Sequence, residues 1–322
     1  MSNDVGAARE VVVVGVPIDC IGAHGTRDAF FGTELAPAAL RHAGLLSTLE
    51  AADDGDLSVR IAGRDRDPST GVRGWPSVAE VTSEVRARAR DLVEAGKLPV
   101  LLGGCCTLLP GALAGARDAL EADGPVGLAY LDGHLDLYDG QTSPTGEAAD
   151  MPIAAIAGHG PAAWSAQIGA PVVPLARLAL LGPRDREEAT ALRSVLPEDL
   201  GVGAELTPAD IRSQGAAETG QRAHDQLSGN GGRYWVHLDV DVLDERDFPA
   251  TDYLMPGGLT LAELITLLMP LTRSAGIAGF SLAGYNPEKD PGNHSARALI
   301  GLLGAVLGRA DHQPPTVPPD QA

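Results

Sequence analysis

Positive charge, cysteine and aromatic rings are all scarce in this 322-residue chain, and each shortage removes a class of function. Lys and Arg number 24 against 43 Asp and Glu, for a formal charge of −19. Nucleic acid, acidic membrane surfaces and polyphosphates would therefore be repelled over distance; a small cationic metabolite would be attracted, although charge alone is equally what keeps a protein soluble. Three cysteines, Cys20, Cys105 and Cys106, are too few for a secreted disulfide framework, and the adjacent pair would make a strained bridge. Reduced thiols in the cytoplasm are expected. No apolar run is long enough to span a bilayer, and the N-terminus carries no basic stretch followed by an apolar one. With aromatics at 4%, the interior must be built from Val, Leu and Ala. A P-loop, a Gly-x-Ser-x-Gly elbow and a dinucleotide fingerprint are also missing, so nucleotide, acyl-serine and hydride chemistry lack support.

What the chain does have is turns, with 40 Gly and 24 Pro, and a repeating order of short apolar runs and helical patterns. Val11 to Val16 and Pro99 to Gly104 read as buried strands, as do Val126 to Asp132, Arg177 to Gly182, Tyr234 to Asp239 and Gly276 to Leu282; a weaker strand is expected at Leu57 to Ile61. Helices are expected from Pro37 to about Leu49, over Glu80 to Ala95, after Cys106 to about Glu121, and near 151–157, 189–196, 208–227, 261–271 and 296–307. Such alternation implies one α/β domain over residues 10–308, a parallel sheet with helices on both faces, and ligands at the carboxyl ends of the strands. Residues 1–9 and the proline-rich tail 309–322 are expected to be disordered.

Two acidic segments follow apolar runs: Asp132-Gly133-His134-Leu135-Asp136 and Asp239-Val240-Asp241. If both continue their strands, the side chains at i and i+2 share a face, and neighbouring strands would gather four carboxylates and an imidazole. Like charges that close raise one another's pKa or recruit a cation, and this donor set suits a hard divalent ion such as Mn²⁺.

These segments, with Gly32 to Arg41, Gly103 to Thr107 and Gly257-Gly258-Leu259-Thr260, resemble in order and spacing the markers of the arginase/agmatinase (ureohydrolase) family. The resemblance covers roughly residues 11–305. It implies a three-layer α/β/α sandwich with a mainly parallel eight-stranded sheet, assembly as a trimer or hexamer, and one or two Mn²⁺ ions, two being bridged by hydroxide. Asp132 and Asp239 would bridge both ions, His134 and Asp241 would complete one site and Asp136 the other. The reaction implied is hydrolysis of a guanidino C–N bond.

Four departures qualify that implication. The family's Gly-Gly-Asp-His-Ser string reads Gly103-Gly104-Cys105-Cys106-Thr107, so an imidazole is lost; Cys106 is either a buried core filler or a thiolate ligand, and a ligating thiolate would suit a softer ion such as Zn²⁺. The histidine proposed as the family's proton shuttle is absent from Ala149-Asp150-Met151-Pro152, which leaves Glu147 and Asp150, beside catalytic Asp136, as proton-transfer candidates or as helix caps. Gly284 stands where the family's late Glu-x-Asn-Pro string has the glutamate that contacts the guanidinium. Glu187 survives at the position arginases use to hold an ammonium, although a helix-start carboxylate reads the same way. Thr145, Tyr138 and Glu187 are the substrate-contacting candidates. The loop Ser143 to Met151 is similar to that of a cysteine-containing biosynthetic branch, some of whose members hydrolyse N-hydroxyarginine.

Outside these motifs, His237 reads as a hydrogen-bonded core histidine rather than a ligand, and His24 and His159 as loop residues that could line the site's mouth. Tyr253, Asp252 and Asp139 could orient substrate or simply pack a loop. Retained carboxylates favour a working metal site. A degenerate binding protein and a scaffold turned to a non-hydrolytic reaction stay open.

Overall fold

A computed structural model describes residues 9–19, 32–63 and 65–308. The expected disordered segments 1–9 and 309–322, apart from Arg9, lie outside the described residues, as do Cys20 and His24. Eight strands form one sheet: β1 (Val11–Val16), β2 (Ala52–Asp56), β3 (Leu98–Gly103), β4 (Gly127–Leu131), β5 (Leu178–Leu181), β6 (Ala204–Leu206), β7 (Tyr234–Asp239) and β8 (Ile277–Ala283). Their order is β2-β1-β3-β8-β7-β4-β5-β6, and every pairing is parallel.

Alternation along a strand divides the core into two layers. Val12, Val14 and Val16 face helices Trp75–Glu94, Leu109–Ala119, Pro152–Ala157 and Ala162–Ile168, whereas Val13 faces the opposite layer with helices Leu261–Thr272 and His294–Leu307. The central strands β3, β4, β7 and β8 are buried along their whole length, which is why they read as continuous apolar runs. The architecture is the expected α/β/α sandwich.

The edges depart from expectation. The strand placed at Leu57 to Ile61 forms instead at Ala52–Asp56, through Val12↔Ala52 and Val13↔Asp53 pairing. Its Ala-Asp-Asp-Gly-Asp sequence has no apolar face, yet an edge strand needs only one backbone partner. Arg41 stabilises it from β1's side of the sheet, with Asp53 at 3.0 Å. Leu57, Val59 and Ile61 pack against the core without pairing. At the other edge, three-residue β6 carried no periodic signal. Gly44 (φ 102°) breaks the first expected helix into Ala36–His42 and Leu45–Leu49, and Gly215 (φ 87°) splits 208–227. Residues 189–196 are not one helix either: one runs Arg186–Ala191 and the next starts at Pro197.

Candidate metal centre

Both acidic segments meet at the carboxyl ends of neighbouring strands β4 and β7, but not by strand alternation. β4 stops at Leu131, so residues 132–136 form a turn in which Asp136 takes a left-handed conformation (φ 51°). Asp239 is the last residue of β7, and Asp241 lies in the 3-10 turn that follows. The shared-face argument is therefore corrected: the carboxylates converge because the turns cross-link. The Gly133 amide donates to Asp241 Oδ1 at 2.8 Å, the His134 amide to Asp132 Oδ1 at 2.7 Å and the Asp241 amide to Asp239 Oδ1 at 2.9 Å. Arg184 ties down the β7 turn by donating to the Asp241 carbonyl at 2.6 Å.

His134 Nδ1 lies 3.0 Å from Asp241 Oδ2 and 3.4 Å from Asp132 Oδ1. Ligand atoms of Asp132, His134 and Asp241 all fall within 4.8 Å of one another. Cys106 is buried at the end of β3, with its sulfur 2.9 Å from Asp239 Oδ2 and 3.6 Å from Asp132 Oδ2. Beneath the turn, the buried Tyr130 hydroxyl donates to Asp136 Oδ2.

Burial sets the electrostatics. It pushes Asp132 up to about 7, helped by the neighbouring Asp241 charge, and lifts Asp136 and Asp239 well above the carboxylate range. Burial acts upward on Asp241 as well, but the His134 charge and hydrogen bond outweigh it and the net shift is downward. For His134 burial opposes protonation, and the Asp241 and Asp132 carboxylates overcome it, so its pKa rises well above the imidazole range. Burial, then Asp239, raises the Cys106 thiol. So many buried acids holding protons is the signature of negative charge in excess, which a divalent cation relieves. The donor set of carboxylates and one imidazole fits Mn²⁺.

The cavity above this floor measures about 300 Å³. It is lined by all the candidate ligands Cys106, Asp132, His134, Asp136, Asp239 and Asp241, and by Tyr138, Thr145, Glu147, Asp150 and Tyr253. Glu187 is not among the lining residues; it is exposed, and Asp185 and Glu188 reach the cavity instead. His159 is exposed and lines a separate cavity with Asp139 and Arg193. Asp139 accepts amides from Gln141 and Thr142 in its own turn, and Asp252 is held by Lys289 at 2.7 Å.

Asp150 is the most unusual wall residue. Its Oδ2 accepts hydroxyls from Ser143 and Thr145, each at 2.8 Å, while buried Oδ1 has no partner; burial pushes its carboxyl up to about 7. Asp185 is similar: Oδ1 accepts the Leu135 amide at 3.0 Å, Oδ2 is buried and unpartnered, and burial raises its pKa. Glu147 is buried and accepts from the Tyr253 hydroxyl at 2.8 Å, and Tyr253 lies edge-on to the His134 ring at 5.6 Å. Two wall carboxylates thus each keep a buried oxygen without a donor, an exception to the usual pairing of buried polar atoms that points to a functional wall.

Sequence reasoning passed over Tyr130 and the cavity-lining residues Arg73, Asp185 and Glu188. Tyr130 was readable, because it sits two residues before Asp132 on one strand. Arg73 comes from an irregular segment with no pattern and gave no signal. His237, expected to be a satisfied core histidine, is buried and hydrogen-bonded to Ser281 at 2.7 Å, and burial holds its pKa down at about 3.

Comparison with known proteins agrees with the architecture. The arginase family model matches residues 9–308. An arginase of Staphylococcus aureus (strain MSSA476) is 28% identical over 300 residues, spanning 90% of this chain and 97% of that protein. The solved structure of Bacillus caldovelox arginase superposes with a TM-score of 0.81 at 26% identity, covering 94% of this chain and 100% of that one. Proclavaminate amidino hydrolase of Streptomyces clavuligerus shares the fold at a TM-score of 0.64 and 20% identity, over 93% of this chain and 90% of its own.

Proposed function

Because the chain belongs to the arginase family, we propose that its acidic cavity hydrolyses a C–N bond of a guanidino, hydroxyguanidino or amidine group in a small cationic metabolite. The observation that carries the reading is the meeting of Asp132, His134, Asp136, Asp239 and Asp241 on one cavity floor. His134, Asp241 and Asp132 would hold one Mn²⁺ ion, and a second ion would sit on the Cys106 side of Asp132, with Asp136 and Asp239 as the neighbouring carboxylates. Ions bound there would supply Lewis acidity that acidifies water and withdraws charge from the guanidino group.

The remaining chemistry belongs to the chain. Asp185 and Glu188, which line the cavity, would hold a cationic end of the substrate, and Thr145 and Tyr138 would orient it. Asp150, half-protonated near neutrality, can pass a proton toward the departing amine, with Glu147 as the neighbouring acid. Asp136, held from below by Tyr130, fixes the floor against which the substrate is presented. The absence of a side chain at Gly284 removes one carboxylate from the guanidinium contact, which favours a less basic hydroxyguanidine and a role in specialised metabolism. A homo-oligomer, trimeric or hexameric, is the assembly proposed.

Purified protein incubated with Mn²⁺ and, separately, arginine, agmatine and N-hydroxyarginine should release urea or hydroxyurea from at least one. No release from any guanidino compound overturns the reading.

A further inference from the structure

Asp132 belongs to two groups of ligating atoms. One joins it to His134 and Asp241 at the cavity floor; the other joins it to Cys106 and His237 behind the floor, again with every ligand atom within 4.8 Å of the others. We propose that the second group is a metal position of its own, with His237 a ligand through Nε2, and that it takes a thiophilic divalent ion such as Zn²⁺ while the outer group takes Mn²⁺. The inference rests on reading the cavity as a metal centre, and it deepens that reading by making the two positions chemically unlike.

Donor chemistry separates them first. The outer group offers carboxylates and one imidazole, the inner group sulfur, imidazole and carboxylate; thiolate selects Zn²⁺ over harder ions. Geometry agrees. With Zn–S about 2.3 Å and Zn–N or Zn–O about 2.1 Å, tetrahedral coordination wants sulfur roughly 3.6 Å from each lighter donor. Cys106 Sγ stands 3.6 Å from Asp132 Oδ2 and 3.2 Å from His237 Nε2. The Asp132–His237 edge is no longer than 4.8 Å, so closing the site takes an opening of the second edge and an adjustment of the third on the order of 1 Å at most.

The surroundings of His237 are built for ligation. Ligation through Nε2 puts the proton on Nδ1, which then donates to Ser281 Oγ at 2.7 Å. That oxygen also accepts from Trp235 Nε1 at 2.9 Å, so its two lone pairs are both used and the imidazole is locked in orientation, as ligating histidines usually are by their second nitrogen. Tyr130 stacks on the ring at 5.1 Å and 7°, fixing its plane. The competing arrangement is a metal-free core in which Nε2–H merely donates to the sulfur.

Cobalt distinguishes the two. The full-length chain, stripped with chelator and titrated with Co²⁺, should develop a thiolate-to-cobalt charge-transfer band in the near ultraviolet and strong visible bands of four-coordinate cobalt. Cys106→Ser should abolish the near-ultraviolet band. His237→Gln should keep that band but weaken cobalt binding about tenfold or more and shift the visible bands. X-ray absorption of the zinc-loaded wild-type protein, which depends on no variant folding, should show one sulfur and imidazole scattering. Wild-type protein that binds Co²⁺ without the charge-transfer band, or zinc without imidazole, overturns the proposal, as does a His237→Gln variant with wild-type affinity and spectrum. Urea release is scored separately. Turnover without a thiolate band sinks the inner site and leaves the hydrolase reading standing, whereas a thiolate band without turnover does the reverse.

Discussion

Asp150 and Tyr130 show how much a single buried group can be asked to do. Asp150 keeps one oxygen on two hydroxyls and leaves the other buried without a donor, and burial raises its pKa to about 7. As a proton carrier it should supply a factor of about 10²–10⁴, and Asp150→Asn should lower kcat by that order while changing KM little. The raised pKa also fixes a stability effect. Between the unfolded value near 4 and the folded value the native state holds the extra proton, so this group's contribution is present in acid and is lost as pH rises through about 7. Urea denaturation of chelator-treated protein should therefore show Asp150→Asn gaining on wild type as pH goes from 5 to 8; a gap that stays constant with pH would refute it. Tyr130→Phe keeps the ring stacked on His237 but removes the donor to Asp136. Mn²⁺ affinity, followed by electron paramagnetic resonance, should fall about 10–100-fold, and unchanged affinity would deny Tyr130 its supporting role. At this scale the meeting of Asp132, His134, Asp136, Asp239 and Asp241 was legible from their two short acidic motifs, whereas the walls were not. Glu187 and Glu188 are separated by about 100° around a helix, and nothing in the sequence said which one turns inward.

The elements place these residues through turns, and the turns explain what could and could not be read. Continuous apolar runs gave β1, β3, β4, β7 and β8 because strands buried on both faces need apolar residues everywhere. Edge strands β2 and β6 carry no such demand, and β2 is held by backbone pairing and by Arg41 instead. The DxHxD spacing led to the correct cluster for the wrong reason, since hydrogen bonds between turns, not pleating, bring Asp136 and Asp241 together. The turn after β8 bears on specificity. Gly284 has φ 83°, and a Cβ there would collide with Asp239 Oδ1. Gly284→Glu therefore cannot simply restore a guanidinium contact. It should displace Asp239, weaken metal binding and cost about 1–3 kcal/mol in chemical denaturation. A variant that binds metal as wild type does and gains affinity for arginine would contradict this account.

For the whole molecule, the strand order was the least accessible feature, because β7 reaches its place between β4 and β8 by long-range pairing that no local pattern encodes. What the sequence did announce was the excess of acid, and its cost falls at the centre of the fold. Asp132 and Asp150 are both pushed to about 7 by burial, so the metal-free native state binds more protons than the unfolded chain from about pH 4 upward to that value. Each such group lowers stability by roughly 1 kcal/mol per pH unit across the window, and the loss is complete once pH passes the folded pKa. A bound divalent ion replaces the proton on Asp132 but leaves Asp150 to titrate. Thermal or urea unfolding at pH 5, 6, 7 and 8 should thus show a falling stability with EDTA and a shallower fall with saturating Mn²⁺, with the benefit of metal growing with pH. At a hundredfold excess over its dissociation constant the ion should add about 3 kcal/mol. Parallel curves with and without Mn²⁺ would mean that the carboxylates of the floor do not exchange protons for metal, and the ligand assignment to Asp132 would fall with them.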